Sequence, residues 1–156
     1  MRQFWARSTA VAVTAALALL ASPASAGVTG STLHMVDLGT LGGESSYAIA
    51  MNDRGDVIGN SAVADGSWHG FLWRNGAMTD LGFLDPVDIN YSGDIAGTID
   101  GVAVVRLRSG HIVRLGTLGG MFSRPVAIND DGHVVGISDT ADFRNAVFLW
   151  KNGKMR

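Results

Sequence analysis

Three features of the sequence predict an all-β chain of tandem four-stranded antiparallel repeats, β-propeller-like, with about three blades in an open arc or partial propeller. The chain matches itself without gaps at an offset of 77, where Asp37 to Thr79 lies on Arg114 to Arg156 with 22 identities over 43 positions. Its apolar runs are strand-sized and bounded by turn residues. Its 21 glycines lack the every-third spacing of collagen, so they mark turns. A repeat of roughly 40 to 45 residues holding four short strands is the blade pattern of a propeller, in which each unit buries its apolar face against the next.

The first element is an address. Arg2 and Arg7 precede an apolar run from Ala10 to Ala21 broken only by Thr14, and Ser22-Pro23-Ala24-Ser25-Ala26 follows with small residues in an A-x-A pattern. Residues 1–26 therefore read as a secretory signal peptide. The apolar run is 12 residues long, whereas a membrane span takes roughly 20, so no retained span is expected and the location is secreted, extracellular. Export into oxidising surroundings permits disulfides, yet the chain has no cysteine, so burial and backbone pairing must hold the fold.

Charge excludes one class of partner. The first 26 residues hold two arginines and no acid, so the remaining 130 keep 10 basic and 14 acidic side chains, a net charge of −4. Scattered Lys and Arg on an acidic chain argue against nucleic acid and against a polybasic membrane contact.

Residues 27–36 are read as an N-terminal strand or linker, and residues 37–156 as the repeat domain, with units 37–79, 80–113 and 114–156. Within the first unit the strand-sized runs are Tyr47 to Met51, Asp56 to Ile58, Trp68 to Trp73 and Ala77 to Leu81. Asn52-Asp53-Arg54-Gly55 joins the first pair and Arg74-Asn75-Gly76 the second, since Asn and Gly favour tight hairpins. The middle unit is shorter and is recognised by Leu81-Gly82, by Ile89-Asn90-x-x-Gly93-x-Ile95-x-Gly97 and by Gly110-x-Ile112. Arg156 aligns with Thr79, so the third unit is expected to lack its fourth strand. Met35-Val36-Asp37-Leu38-Gly39 copies Met78-Thr79-Asp80-Leu81-Gly82 and offers a spare one. Pairing of the two ends, a longer parent array, an open arc and association of chains into a larger ring each answer the edge this leaves.

Leu38-Gly39-Thr40-Leu41-Gly42-Gly43, the Asn-Asp-x-Gly turn, Val-x-Gly-x-Ser and Phe71-Leu72-Trp73-x-Asn75-Gly76-x-Met78 together resemble the HAF repeat family of bacterial extracellular proteins, over residues 37–156. The tripeptide that names that family is altered here, to His69-Gly70-Phe71 in one unit and Ala146-Val147-Phe148 in another. The resemblance implies an exported repeat protein and brings no settled activity, cofactor or ligand.

Candidate chemistry is sparse. Asn52-Asp53-Arg54-Gly55-Asp56 groups oxygen atoms, but it lacks the alternating acids and distal Glu of a calcium loop, so it reads as a hairpin with no metal expected. Arg54-Gly55-Asp56 matches an adhesion tripeptide that its copies do not keep. His34, His69, His111 and His133 fall at different phases of the repeat and never at i, i+4. No serine sits in a G-x-S-x-G elbow. Gly42-Gly43 and Gly119-Gly120 lack the lysine of a phosphate cradle and read as backbone turns. Asp85 and Asp88 are expected in a solvated loop where the middle unit is shortened; with His69 they are the acids and base of an enzyme alternative, a propeller-type hydrolase or lyase. Trp73 and Trp150 alternate with Phe71 and Phe148 and are assigned to the blade core. Trp68 and Tyr47 stand outside the shared pattern, opposite Asn145 and Arg124, so Trp68, Tyr47 and the adjacent His69 are the candidate ligand-binding residues. The expectation is a secreted, non-catalytic interaction module without cofactor, open to homo-oligomer formation, whose partner is an extracellular carbohydrate, peptide or protein.

Overall fold

A computed structural model describes residues 34–156. The predicted signal peptide and most of the linker therefore lie outside the described residues. Val36–Arg156 forms one compact unit, all-β and without a helix among the described residues. Four strands, β1 (Gly42–Met51), β2 (Val57–Val63), β3 (Trp68–Arg74) and β4 (Ala77–Asp80), make the first sheet in the order of the chain. The second is built from β5 (Asp85–Ile89), β6 (Ile95–Ile99), β7 (Val102–Arg106) and β8 (Ile112–Gly116). The third is built from β9 (Gly119–Ile128), β10 (Val134–Thr140), β11 (Asn145–Lys151) and β12 (Lys154–Met155). All neighbours are antiparallel. The three sheets form an open, partial propeller-like arrangement and no closed barrel.

The structure departs from the sequence reading at several elements. The third unit does not lack its fourth strand: Lys154 and Met155 pair with Lys151 and Trp150 as the two-residue β12. The copied segment at Met35–Gly39 is not a strand. Asp85 and Asp88 are not in a solvated loop, because the five residues missing from the middle unit shorten β5 at its start and bring both acids into that strand. Gly42-Gly43 and Gly119-Gly120 open strands β1 and β9; only the first glycine of each pair has a left-handed φ. In the core, Phe71 and Phe148 are buried, while Trp73 and Trp150 are half-buried.

Hairpin chemistry follows the turns. Asn75-Gly76, Asp100-Gly101 and Asn152-Gly153 each have positive φ at both residues, the type I′ signature that matches strand twist. At the other hairpin, the Asn52 side-chain oxygen accepts the N–H groups of Arg54 and Asp56 at 3.1 and 3.0 Å. Asn90 and Asn129 accept the N–H of Asp94 and His133 in the same way, both at 2.8 Å. The amide ends of these asparagines then tie sheet to sheet: Asn52 Nδ2 donates to the Asn90 carbonyl at 3.0 Å, and Asn90 Nδ2 to the Asn129 carbonyl at 3.1 Å. The three turns thus converge around one shallow opening of about 320 Å³.

Packing between sheets is directional. Ile58 and Leu72 of the first sheet meet Ile95, Val104 and Ile89 of the second. On its opposite face the second sheet turns Ala96, Ala103 and Val105 toward Val134, Phe148 and Ile128 of the third. Registers Ile58↔Leu72, Ala96↔Val105 and Val135↔Leu149 show that the same repeat positions form the forward face of every sheet.

Glycine has a specific duty at one position of this packing. Gly59, Gly97 and Gly136 are equivalent, and a β-carbon on any of them would collide with the backbone carbonyl of Tyr47, Asp85 or Arg124 respectively. This is where the innermost strand bulges in every sheet. Gly97→Ala is therefore expected to force β5 away from β6 and cost about 2–3 kcal/mol, as overpacking does. Urea denaturation followed by circular dichroism measures it; an unchanged midpoint contradicts the close approach.

Candidate functional site

The innermost strands β1, β5 and β9 carry equivalent residues that differ in chemistry. Tyr47 pairs with Asn60, Asp85 with Thr98 and Arg124 with Ile137, each pair one step from the recurring glycine. One repeat position thus presents a phenol, a carboxylate and a guanidinium on adjacent sheets. Since packing dictates the neighbours of this position but not its side chain, the three copies are free to diverge there.

Tyr47 and Trp68 come together. Trp68 pairs with Ala62, two residues along β2 from Asn60, so period-two alternation puts both aromatics on the same face. Their ring centroids lie 5.5 Å apart at an interplanar angle of 47°, and they are 52% and 49% exposed. Half of each ring is therefore open to a ligand while the other half is held. Asn60 supports the platform from below: its Nδ2 donates to the Tyr47 hydroxyl and to Asp85 Oδ1, both at 3.0 Å. That fork binds the first sheet to the second and fixes the carboxylate.

Beyond Asp85 the surface opens into a cavity of about 410 Å³ between the second and third sheets, lined among others by Thr98, Arg124, Ile137, Asp139 and Asn145. Asn145 and Arg124 are the third-sheet counterparts of Trp68 and Tyr47. Asp85 adjoins both platform and cavity, hydrogen-bonded to the Asn60 beneath the one and lining the other.

His69, the third sequence candidate, follows Trp68 on β3 and so points to the opposite face. Its Nδ1 lies 3.0 and 2.9 Å from the two Asp80 oxygens, and its ring meets Phe83 edge-on at 4.9 Å. Burial opposes ionisation of Asp80, but the His69 ring and the Gly82 N–H outweigh it and hold that carboxyl below the usual range. Asp88 is engaged by the backbone: its two oxygens accept the N–H groups of Ile89 and Ile128, both at 2.9 Å. His69 thus faces away from Trp68, whereas Asp85 and Asp88 share strand β5.

Asp56 of the grouped-oxygen turn is held by cations of the chain itself. Arg74 approaches it side-on through Nε and Nη2 at 2.8 and 2.9 Å, and Arg54 Nη2 reaches it at 2.8 Å. The Arg74 hydrogen bonds lead, Asn52 and Arg54 add to them against the opposing effect of burial, and the carboxyl is depressed far below the normal aspartate range. Arg54 thus closes on the Asp56 of its own adhesion-like tripeptide.

The sequence reading missed Asn60, Asp85 as a platform residue, Arg124, Asp139 and Asn145. The signal was present in the alignment, since these are the phases at which the first and third units disagree, and only Tyr47 and Trp68 were drawn from it.

A depressed folded-state pKa means that Asp56 adds stability above its unfolded value, near 3.9, and loses it as pH falls further. Asp56→Asn is expected to cost about 2 kcal/mol at neutral pH, because hydrogen bonds to a charged acceptor are lost. That difference should shrink as the pH is lowered through about 4 to 2, read by chemical denaturation of both proteins at each pH. A constant difference contradicts the assignment.

No family model, no curated protein and no solved structure matches this chain.

Proposed function

We propose that the chain is an exported, non-catalytic binding module of the HAF-repeat kind that takes an extracellular carbohydrate on the Tyr47–Trp68 platform. The observation that carries this reading is the pairing of two half-exposed aromatic rings with Asn60 and Asp85 at their foot. A sugar ring has an apolar face of C–H groups suited to an aromatic surface and a rim of hydroxyls that both donate and accept. Asp85 accepts from such hydroxyls, and the adjoining cavity that Asp85 also lines carries donors in Arg124 and Asn145. Rigid aromatics held by packing lose little entropy on binding. The signal-like first 26 residues and the net charge of −4 in the remainder agree with a partner outside the cell and with none that is polyanionic.

The non-catalytic part of the reading is supported by the dispersal of the reactive groups. Both Asp88 oxygens are engaged by backbone N–H groups, and His69 is paired with Asp80 on the far face of β3. A hydrolase needs an acid and a base set at a defined separation across one cleft.

The test is titration of a panel of soluble glycans with the exported chain, followed by calorimetry and tryptophan fluorescence. Trp68→Ala is expected to weaken binding about tenfold, or 1.4 kcal/mol, with Asp85→Asn weakening it as well and His69→Ala leaving it unchanged. Absence of any glycan titration, or equal affinity of Trp68→Ala and the parent, overturns the proposal.

A further inference from the structure

The repeat packs forward from sheet to sheet, and among the described residues no sheet covers the forward face of the third. In the first sheet the forward residues Ile58 and Leu72 are 0% and 6% exposed, and in the second Ala96 and Val105 are 0% and 3%. The same positions of the third sheet, Val135 and Leu149, are 42% and 44% exposed. Beside them Ile137 and Val147, paired across β10 and β11, are 47% and 78% exposed. Val135 and Leu149, at positions that build the core in the other sheets, are left facing solvent with the aliphatic Ile137 and Val147 beside them, a contiguous apolar patch of the kind that marks an interface.

A polar feature ends at the same face. The asparagine ladder runs from Asn52 to Asn90 to Asn129. Asn129 is exposed, and its Nδ2 has no acceptor among the described residues, whereas Asn52 and Asn90 are buried with theirs satisfied. At the start of the ladder the Asn52 carbonyl accepts only the Gly55 N–H, while the Asn90 carbonyl accepts both the Gly93 N–H and the amide of the preceding sheet. A second tie behaves alike. The Tyr91 N–H donates to Asp130 Oδ1 at 2.8 Å, and Asp53, the first-sheet counterpart of Asp130, is an exposed acid. An open donor at one end of the unit is therefore matched by an open acceptor of the same repeat position at the other.

We infer that the forward face of the third sheet docks on the first sheet of a second copy of this chain, head to tail, in the register that already joins the sheets within one chain. In that register Asn129 Nδ2 donates to the partner's Asn52 carbonyl and the Asp130 N–H to the partner's Asp53 carboxylate, while Val135 and Leu149 take the places that Ile58 and Leu72 occupy inside the chain. The occupant follows from continuity: the surface wanted is the rear face of a sheet of this repeat, and a second copy carries one. Two copies of the described three-sheet unit joined twice give six sheets, within the four to eight of closed propellers, and the heterologous contact then closes on itself. Because the contact is between copies, it is independent of any glycan.

The chain has no cysteine, so single thiols report the geometry. The full chain, expressed through an exporting host, is prepared as Asp53→Cys and as Asp130→Cys, and each is treated alone and mixed with a short bismaleimide. The expected result is a covalent dimer in the mixture and none in either variant alone, together with a light-scattering mass of two chains for the parent that falls to one for Leu149→Asp. Crosslinking within a single variant overturns the head-to-tail register. A parent mass of one chain at all concentrations overturns the contact altogether, whether the face is bare or covered by some other segment. Glycan titration of Leu149→Asp separates the two proposals, since loss of the dimer with retained binding leaves the platform intact.

Discussion

The fold depends on a sheet that is apolar on both faces but not in the same way. The first sheet presents Ile58 and Leu72 forward to Ile89, Ile95 and Val104 of the second, and the second presents Ala96, Ala103 and Val105 forward to Val134, Phe148 and Ile128 of the third, so unlike faces meet. Burial of these faces is the main source of stability, since a chain without cysteine has no disulfide to assist it. A single four-stranded sheet of this composition would leave both surfaces in water. Repetition is therefore the condition for folding, and it explains why so much of the first unit reappears in the third.

Directional packing also fixes what each polar residue of the repeat must do. A turn asparagine has one oxygen and two N–H groups, and here the oxygen caps its own hairpin while the amide crosses to the next. The Thr and Ser residues play a similar part. Thr40 and Thr117 close the Gly-rich segment onto Gly43 and Gly120, both at 2.8 Å, and Ser61 and Ser138 accept the N–H of Leu41 and Leu118 at 2.9 and 2.8 Å. The Leu-Gly-Thr-Leu-Gly-Gly motif is thus the strap that leads the chain into an innermost strand. Pro86 and Pro125 sit in those strands at the bulge, where an edge position makes the missing N–H tolerable.

What was legible in the sequence is what packing makes periodic. The offset of 77 marks the first and third units, Ile89-Asn90-x-x-Gly93-x-Ile95-x-Gly97 marks the middle one, and the turn residues mark the hairpins and hence the class of fold. Strand lengths were less legible, because β1 begins at Gly42 and a glycine pair reads as a turn when the strand that opposes it is unknown. Asp85 was misread for a related reason. Nothing in Asp85-Pro86-Val87-Asp88 signals a strand, and its place in β5 follows only from pairing with Thr98, Gly97 and Ala96. The platform was half legible: Tyr47 and Trp68 differ from their copies, but their distance in space depends on the register of two hairpins. His69 illustrates the limit. Adjacent in sequence to Trp68, it is placed by alternation on the other side of the sheet.

Divergence among copies then has a physical meaning. Positions whose neighbours are other parts of the repeat are held to one size and polarity, because a change at one disturbs the contact at every interface it resembles. Positions on the rim of the cleft have solvent for a neighbour, and the phenol, carboxylate and guanidinium that occupy them cost the fold little. A repeat protein can therefore acquire an asymmetric site without altering its framework, one copy at a time. By the same logic, Val135 and Leu149 are informative because they keep the aliphatic character of Ile58 and Leu72, and Ile137 because it is aliphatic where the other sheets carry Asn60 and Thr98. A face free of packing constraints and exposed to water carries no reason to be apolar, and it is on the exposed aliphatic character of Val135, Ile137, Val147 and Leu149 that the inferred contact between copies rests.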